Sequence, residues 1–356
     1  MSSSYGERIR LSLFGQSHGE AVGMILDGLP AGESIDLEHL QNFLDRRAPG
    51  RSRLTTSRKE ADRPRFLSGL WEGKTCGAPL CAIIENTDAR SADYEQLADI
   101  PRPGHADWPA WVKHHACNDY RGGGHFSARL TAPFCVAGGI LLQLLEQRGI
   151  QISARLFSVG EIKDESWDAK QSFWPSPQEN EWGLPVFDAK AAAAMAGCIQ
   201  EAAQAGDSLG GQVECCVQGL PVGMGEPFFD SLESCISHVV FSIPGIKGLE
   251  FGSGFACAGA KGSENNDPYQ IQEDRICTAS NHHGGILGGL SSGMPLIFRA
   301  AFKPTSSIAQ KQHSVSMRLL EERELQLSGR HDPCIAIRAV PCVEAAAAIA
   351  LSQFVF

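Results

Sequence analysis

Three consecutive glycines, Gly122 to Gly124, lead into an almost unbroken apolar run from Phe134 to Leu145. No other stretch constrains this chain as much. Glycine adopts positive φ without steric cost, so the triple lets the backbone turn sharply and expose its N–H groups to a ligand. Ser127 and Arg129 stand where a helix can begin, with Thr131 and Pro133 in its first turn. A helix that is apolar on every side belongs in a core. With Arg121, Arg129 and His125 beside it, the loop makes a natural anion seat. Taken alone, it reads first as a tight turn capping a core helix. What favours the seat lies elsewhere in the chain.

At 356 residues the chain is long enough for one large domain or two ordinary ones. Its 38 glycines cluster in short runs without a fixed period, which excludes a solenoid. A net charge of −10 argues against nucleic acid as the main partner. The first residues carry Glu7, Arg8 and Arg10 and no apolar segment of a targeting signal. The apolar run Leu130 to Leu145 is short for a membrane span and holds Pro133 and Gln143. Twelve cysteines lie scattered with no Cys-x-x-Cys, the usage of reduced core residues in a cytoplasmic protein rather than of a disulfide framework or zinc site.

Arg8 to Phe14 alternates as a strand, and a second follows at Val22 to Leu26. Gly15-Gln16-Ser17-His18-Gly19 forms the loop between them. An ordinary pKa near ~6.5 lets the imidazole of His18 give or take a proton at neutral pH. Asp36 to Arg47 has helical spacing. From Arg46 to Arg65, eight basic residues stand against Glu60 and Asp62 in an otherwise acidic chain. That stretch suits a solvated loop, a salt-bridge network or a basic flap over a multiply charged small anion; few aromatics accompany it, which disfavours RNA. Leu70 to Asn86 reads as a hairpin turning at Gly73-Lys74, and Arg102-Pro103-Gly104-His105 places an arginine and a histidine on a rigid turn. His114-His115 matches no metal-ligand spacing, and no metal site is expected.

Beyond the glycine loop and its helix, Ile150 to Ile162 reads as a strand, 163 to 187 as a peripheral insertion and Asp188 to Ala205 as an alanine-rich helix. Gly210 to Leu220 reads as a strand, Phe229 to Phe241 as a helix ended by Pro244-Gly245, and Val213 to Phe255 as strand, helix, strand. No clean boundary appears. The expectation is a single domain, 1–356, of two similar α/β halves dividing near 150–187. In the last third, Asn281 to Gly289 is another glycine-rich turn leading to a strand, Leu296 to Phe302, and then Lys303-Pro304-Thr305-Ser306-Ser307. A lysine and three hydroxyls at a strand end suit a phosphate or a polar ring edge. Neither a Walker loop nor a dinucleotide-binding glycine motif is present. A helix over Met317 to Leu327 precedes Gly329 to Cys334, and another, Val343 to Phe354, closes the chain.

Five stretches in order now carry a resemblance: Gly15 to Gly19 with its apolar run to Pro30, Arg102 to His105, Gly124 to Arg129, Lys303 to Ser307, and Arg330-His331-Asp332-Pro333-Cys334 continuing to Glu344. Each is weak alone. Together, over about residues 6 to 350, the chain resembles the chorismate synthase family. The resemblance implies an α+β fold, a β-α-β sandwich of antiparallel sheets around central helices, assembled as a homotetramer in the cytoplasm. It implies a lyase that converts 5-enolpyruvylshikimate 3-phosphate to chorismate and phosphate by anti-1,4-elimination, with reduced FMN and no net redox change.

That substrate carries about −3.5 to −4 charge if its phosphate behaves as other monoesters do, so fixed guanidiniums must offset its desolvation. By position the resemblance assigns substrate binding to Arg47, Arg53, Arg102, Arg129 and Arg330. It makes His18 the acid for the departing phosphate, His105 the proton donor to the reduced flavin near N1, and Asp332 the group that helps flavin N5 take the C6 proton. Cofactor contacts fall on His125, Phe126, Ser127, Pro244, Gly245, Gly288, Lys303, Pro304, Thr305, Ser306, Ser307 and Arg330.

The chain departs from many relatives, which have Arg-Ser where it has His125-Phe126 and Asn-Ala where it has Pro244-Gly245. The first change removes a permanent cation and the second a backbone donor, since proline has no N–H. No large extra segment is present to supply a flavin reductase, so a monofunctional enzyme relying on a separate reductase or reductant is expected, with no turnover of NADPH by the pure protein. Two rival readings are a catalytically silent flavin- or anion-binding protein on the same scaffold and a nucleic-acid module using residues 46–65. The three candidate proton-transfer residues count against the first, and a steep salt dependence of RNA affinity would support the second.

Overall fold

The structure is a computed structural model; it describes residues 3–50, 52–56, 60–87, 96–165, 167, 177, 180–327 and 331–356. Two five-stranded antiparallel sheets enclose the helices. The N-terminal sheet runs in the order Ser4–Tyr5, Arg10–Gly15, Ala21–Asp27, Leu80–Glu85, Arg65–Ser68. The C-terminal sheet runs Ile246–Phe251, Leu296–Phe302, Gly211–Gln218, Gln151–Val159, Ile162–Lys163. Strand periodicity turns Val22, Met24 and Leu26 inward, while Ile25 between them stays exposed. In the strand Leu296–Phe302 both faces are largely covered.

Between the sheets lie the helix Thr131–Glu146 and the terminal helix Ala336–Val355. A Cβ added to Gly138 would sit 2.2 Å from the Cβ of Ala345, so glycine there lets the two helices touch. Leu37–Arg47, capped by Asp36, and Leu232–Val240, capped by Ser231, pack beside them. One cluster of buried side chains joins both sheets and the helical layer. The segments Ala128–Glu146 and Ala336–Val355 are long and apolar enough to cross a membrane, yet 89% and 83% of their most apolar windows are buried inside the protein. They are core helices.

Most expected elements form where the sequence places them, and four differ. The stretch 317–327 is not a helix: Gln312–Ser316 and Glu321–Leu325 pair as a hairpin. Ser316 Oγ accepts the Leu319 N–H, and Leu320 takes φ +55°. Leu325 and Leu327, two residues apart, bury against Leu97, whereas Leu319 and Leu320 stay exposed. No helical face exists there to bury. The terminal helix begins at Ala336, seven residues before the expected Val343, and carries Pro341 inside it. Burial of Ile337, Ala339 and Val340 offsets the hydrogen bond that the proline omits. Residues 184–187 are not peripheral: Leu184 and Val186 join the main core, and Phe187 is buried. Finally, the strand–helix–strand of 213–255 is present, but Leu296–Phe302 inserts between its two strands.

Candidate active site

The glycine triple takes the left-handed conformation, with φ of +58°, +84° and +54° at Gly122, Gly123 and Gly124. Its purpose is close approach. A Cβ on Gly122 would lie 2.3 Å from the His18 ring, and one on Gly123 would lie 3.0 Å from the His105 ring. The loop is therefore wedged between the two histidines, and a side chain at either glycine would push one of them out. Ser127 ends the loop in extended conformation, its Oγ accepting the Arg129 N–H. Thr131–Glu146 follows.

A cavity of about 710 Å³ opens on the C-terminal side of this loop. Of the expected residues it gathers Arg47, Arg102, Arg129, His105, His125, Phe126, Ser127, Pro244, Gly245, Asp332 and the run Lys303 to Ser307. His18 is buried directly behind its lining residues Ser17 and Gly122. Two expected residues are not brought in. Gly288 sits in the turn of the small hairpin Ile286–Leu287/Leu290–Ser291, away from the lining, and Arg53 is exposed. Arg330 lies outside the described residues.

Carboxylates hold the cavity's cations in place. Asp107 accepts from the backbone N–H of Arg102, from its Nε at 2.8 Å and from Nη2 at 2.8 Å, and meets His105 Nδ1 at 2.6 Å. Burial opposes its ionisation, but the hydrogen bonds from Arg102 and His105 outweigh that and hold its pKa well below the usual carboxylate range. Against this acceptor Nδ1 carries the proton of the neutral ring, while Nε2 lies 3.3 Å from Arg102 Nη2. Asp62, almost fully buried at φ +45°, bridges Arg47 Nε at 2.7 Å and Arg129 Nη1 at 2.5 Å. Its burial is likewise overcome by these two guanidiniums, and its pKa falls. Asp332 accepts the Thr56 N–H at 2.8 Å and pairs with Arg338 Nη1 at 2.5 Å.

The stretch 46–65 is thus no simple flap. Arg46 pairs with the buried Glu344, Arg47 with Asp62, and Leu54 and Thr56 are buried; Arg51, Arg58 and Lys59 lie outside the described residues. His125, in place of an arginine, serves as a tie to the N-terminal strands: Nδ1 donates to the Gly15 carbonyl at 2.9 Å, and Nε2 meets the Ser3 hydroxyl at 2.8 Å. Gly245, at φ +95°, offers its carbonyl to the Lys303 N–H.

Sequence reasoning missed Asp107, Asp62, Thr56 and Arg338. Arg338 was findable, as the sole cation in the apolar helix Ala336–Val355. Asp62 was visible only as a minority charge among arginines, and nothing local marks it as their partner.

The lysine end of the cavity tests for an anion. Lys303 reaches the Gly104 carbonyl and Ser306 Oγ, and its pKa is lowered by burial and by the nearby charges of Lys247 and Arg102. Cations crowded to the point of mutual repulsion are stabilised by a bound phosphate or carboxylate.

Fold and site together define an α+β sandwich protein with an arginine-lined cavity beside paired imidazoles and a carboxylate. The family model described as chorismate synthase matches residues 9–356. The chorismate synthase of Korarchaeum cryptofilum is 43% identical over 354 residues, 99% of this chain and 96% of the relative. Those of Lancefieldella parvula and Thermococcus kodakarensis are each 42% identical, covering 99% and 98% of this chain and 95% and 96% of theirs. A crystal structure of chorismate synthase superposes with a TM-score of 0.76 at 27% identity, covering 98% of this chain and 92% of that one. The chain belongs to the chorismate synthase family.

Proposed function

We propose that this chain eliminates phosphate from 5-enolpyruvylshikimate 3-phosphate to give chorismate, as a monofunctional, cytoplasmic homotetramer that receives its FMN already reduced. The observation that carries this reading is the convergence of Arg47, Arg102, Arg129, His105 and Asp332 on one cavity, with His18 against the loop that lines it. The residues present fit a flavin phosphate and a planar ring. The cationic, hydroxyl-rich end at Lys303 to Ser307 faces apolar walls from Phe126, Ile243, Pro244 and Ile335, in a volume ordinary for a small-molecule site. Reduced FMN, when bound there, supplies an electron-rich ring to a reaction with no net redox change.

The protein's own groups do the remainder. Arg47, Arg102 and Arg129 offset the charge of the substrate and orient it. His18 gives a proton to the departing phosphate; His105, held at Nδ1 by Asp107, gives a proton from Nε2 when its ring carries both protons; and Asp332 assists removal of the proton lost from carbon. Arg53, Arg330 and Gly288 remain in this reading as contacts that loops or a second subunit would complete. Anaerobic incubation with photoreduced FMN and substrate tests it. Equal release of phosphate and appearance of chorismate absorbance is expected; no turnover in flavin-loaded protein overturns it in favour of a silent binding protein. NADPH-driven turnover by the pure chain would remove the monofunctional part alone.

A further inference from the structure

Two cysteines at the floor of the cavity have no part in that chemistry. Cys342, on the terminal helix, lines the cavity; Cys135, on Thr131–Glu146, is fully buried behind it. Cys135 Sγ donates to Cys342 Sγ at 3.7 Å, and the Cys342 thiol reaches the Arg338 carbonyl at 3.5 Å. One turn further along both helices, Gly138 and Ala345 touch, so the backbones are already as close as they can come beside the sulfurs. We propose that Cys342 and Cys135 are a peroxide-reactive dithiol that closes to an intramolecular disulfide.

The two sulfurs are unlike in the way such a pair requires. Cys342 borders the cavity, though only 3% exposed, and its pKa is lowered by the hydrogen bond from Cys135 and, against burial, by Arg47 and Arg338. Cys135 is sealed from solvent, and burial pushes its thiol up, leaving it to respond only to a neighbour. The Cys342 thiolate attacks a hydroperoxide: an S–O bond forms, the O–O bond breaks, and the released hydroxide takes up a proton to leave as water. The Cys135 sulfur then attacks the sulfenic acid; the S–S bond forms, the S–O bond breaks, and a second water leaves. Two thiols lose two electrons and two protons, and one peroxide becomes two waters. The sulfurs close from 3.7 Å to about 2.05 Å, which draws Cys342 away from the cavity wall beside Arg47 and Arg338. In a reducing compartment a disulfide of this kind is transient and regulatory.

The inference does not depend on the proposed reaction, because its readout is mass. The reduced full chain, without flavin, is titrated with hydrogen peroxide, and the products are alkylated and digested without reductant. The first product is expected to lose two hydrogens, to yield two fewer alkylated thiols than the twelve of the reduced chain, and to contain a peptide joining Cys135 to Cys342. Dithiothreitol should restore all twelve. In Cys135→Ala the link is absent and Cys342 gains oxygen instead; Cys135→Ser serves if the alanine variant fails to fold. Oxidation confined to the exposed Cys76, Cys117 and Cys257, with Cys135 and Cys342 still alkylatable, overturns the proposal. So does an unchanged mass loss in Cys135→Ala.

Discussion

The molecule buries arginines in two places, with opposite outcomes. In the C-terminal sheet, Arg155 is wholly buried, pairs with Asp164, donates to Glu214 at 2.6 Å and stacks on Phe187 at 4.0 Å. Arg299 joins the same Glu214 at 2.8 Å and reaches Glu250 at 3.4 Å. Two guanidiniums meet three carboxylates there, and the aromatic faces fill what space remains. Around the cavity, six cations line the wall, namely Arg47, Arg102, Arg129, Lys247, Lys303 and Arg338. Among the described residues, Glu60, Asp62, Asp107 and Asp332 are the carboxylates that touch them. One network closes on itself; the other keeps positive charge and an open volume. Burial of arginine is thus not a mark of function by itself, whereas burial with a surplus of cations around a cavity is.

The largest effects should separate the two regions by what they disturb. His18→Ala and Asp332→Ala are expected to lower phosphate release by about 10²- to 10⁴-fold, the usual worth of a placed proton-transfer group, with the melting temperature of His18→Ala little changed. Near-normal turnover in both would detach the cavity from the chemistry. Arg155→Met should do the reverse. It leaves Glu214 and Asp164 short of their buried partner, so unfolding in urea should show a loss of about 3–5 kcal/mol, while activity per folded molecule holds. Equal damage to activity would mean that the sheet network reaches the site.

Asp62→Asn tests the seam between the two kinds of burial, because this carboxylate is saturated like Glu214 yet serves cavity arginines. Its folded pKa is depressed, so its contribution is complete above the unfolded value near ~4 and is lost as pH falls through the folded one. The stability gap between parent and Asp62→Asn should therefore be widest and flat at neutral pH and should close only below the usual carboxylate range. A gap that closes between pH 7 and pH 5 would show that Asp62 is not ionised as its partners imply.

How much of this could be read beforehand follows from range in sequence. The glycine triple, the histidine-bearing loops and the strand ending at Lys303 announce themselves because each is a local pattern of turn and period. The resemblance to a family then placed them at one site. Asp107 and Asp62 did not announce themselves, since a carboxylate beside an arginine in sequence is usually a solvated pair, and only the fold shows these to be buried. The hairpin Gln312–Ser316/Glu321–Leu325 was misread for the same reason. Its leucines suggested a helical face, but Leu325 and Leu327 bury at strand spacing while Leu319 and Leu320 stay exposed, and a turn held by Ser316 prevails.

The smallest expected effect is the sharpest on the comparison. Glu60 meets Arg129 Nη1 at 2.9 Å, but Arg129 is also held by Asp62, by Asn86 Oδ1 at 2.9 Å and by the Glu85 carbonyl at 3.3 Å. Glu60→Gln therefore removes a charge without releasing the guanidinium. In a self-contained network such as that of Arg155, losing a carboxylate only destabilises. In an anion seat it also raises the positive potential met by a ligand. Glu60→Gln should bind inorganic phosphate more tightly, as read by isothermal titration at low salt. Weaker binding would show that Glu60 aims Arg129 and that this corner of the cavity behaves as the sheet does.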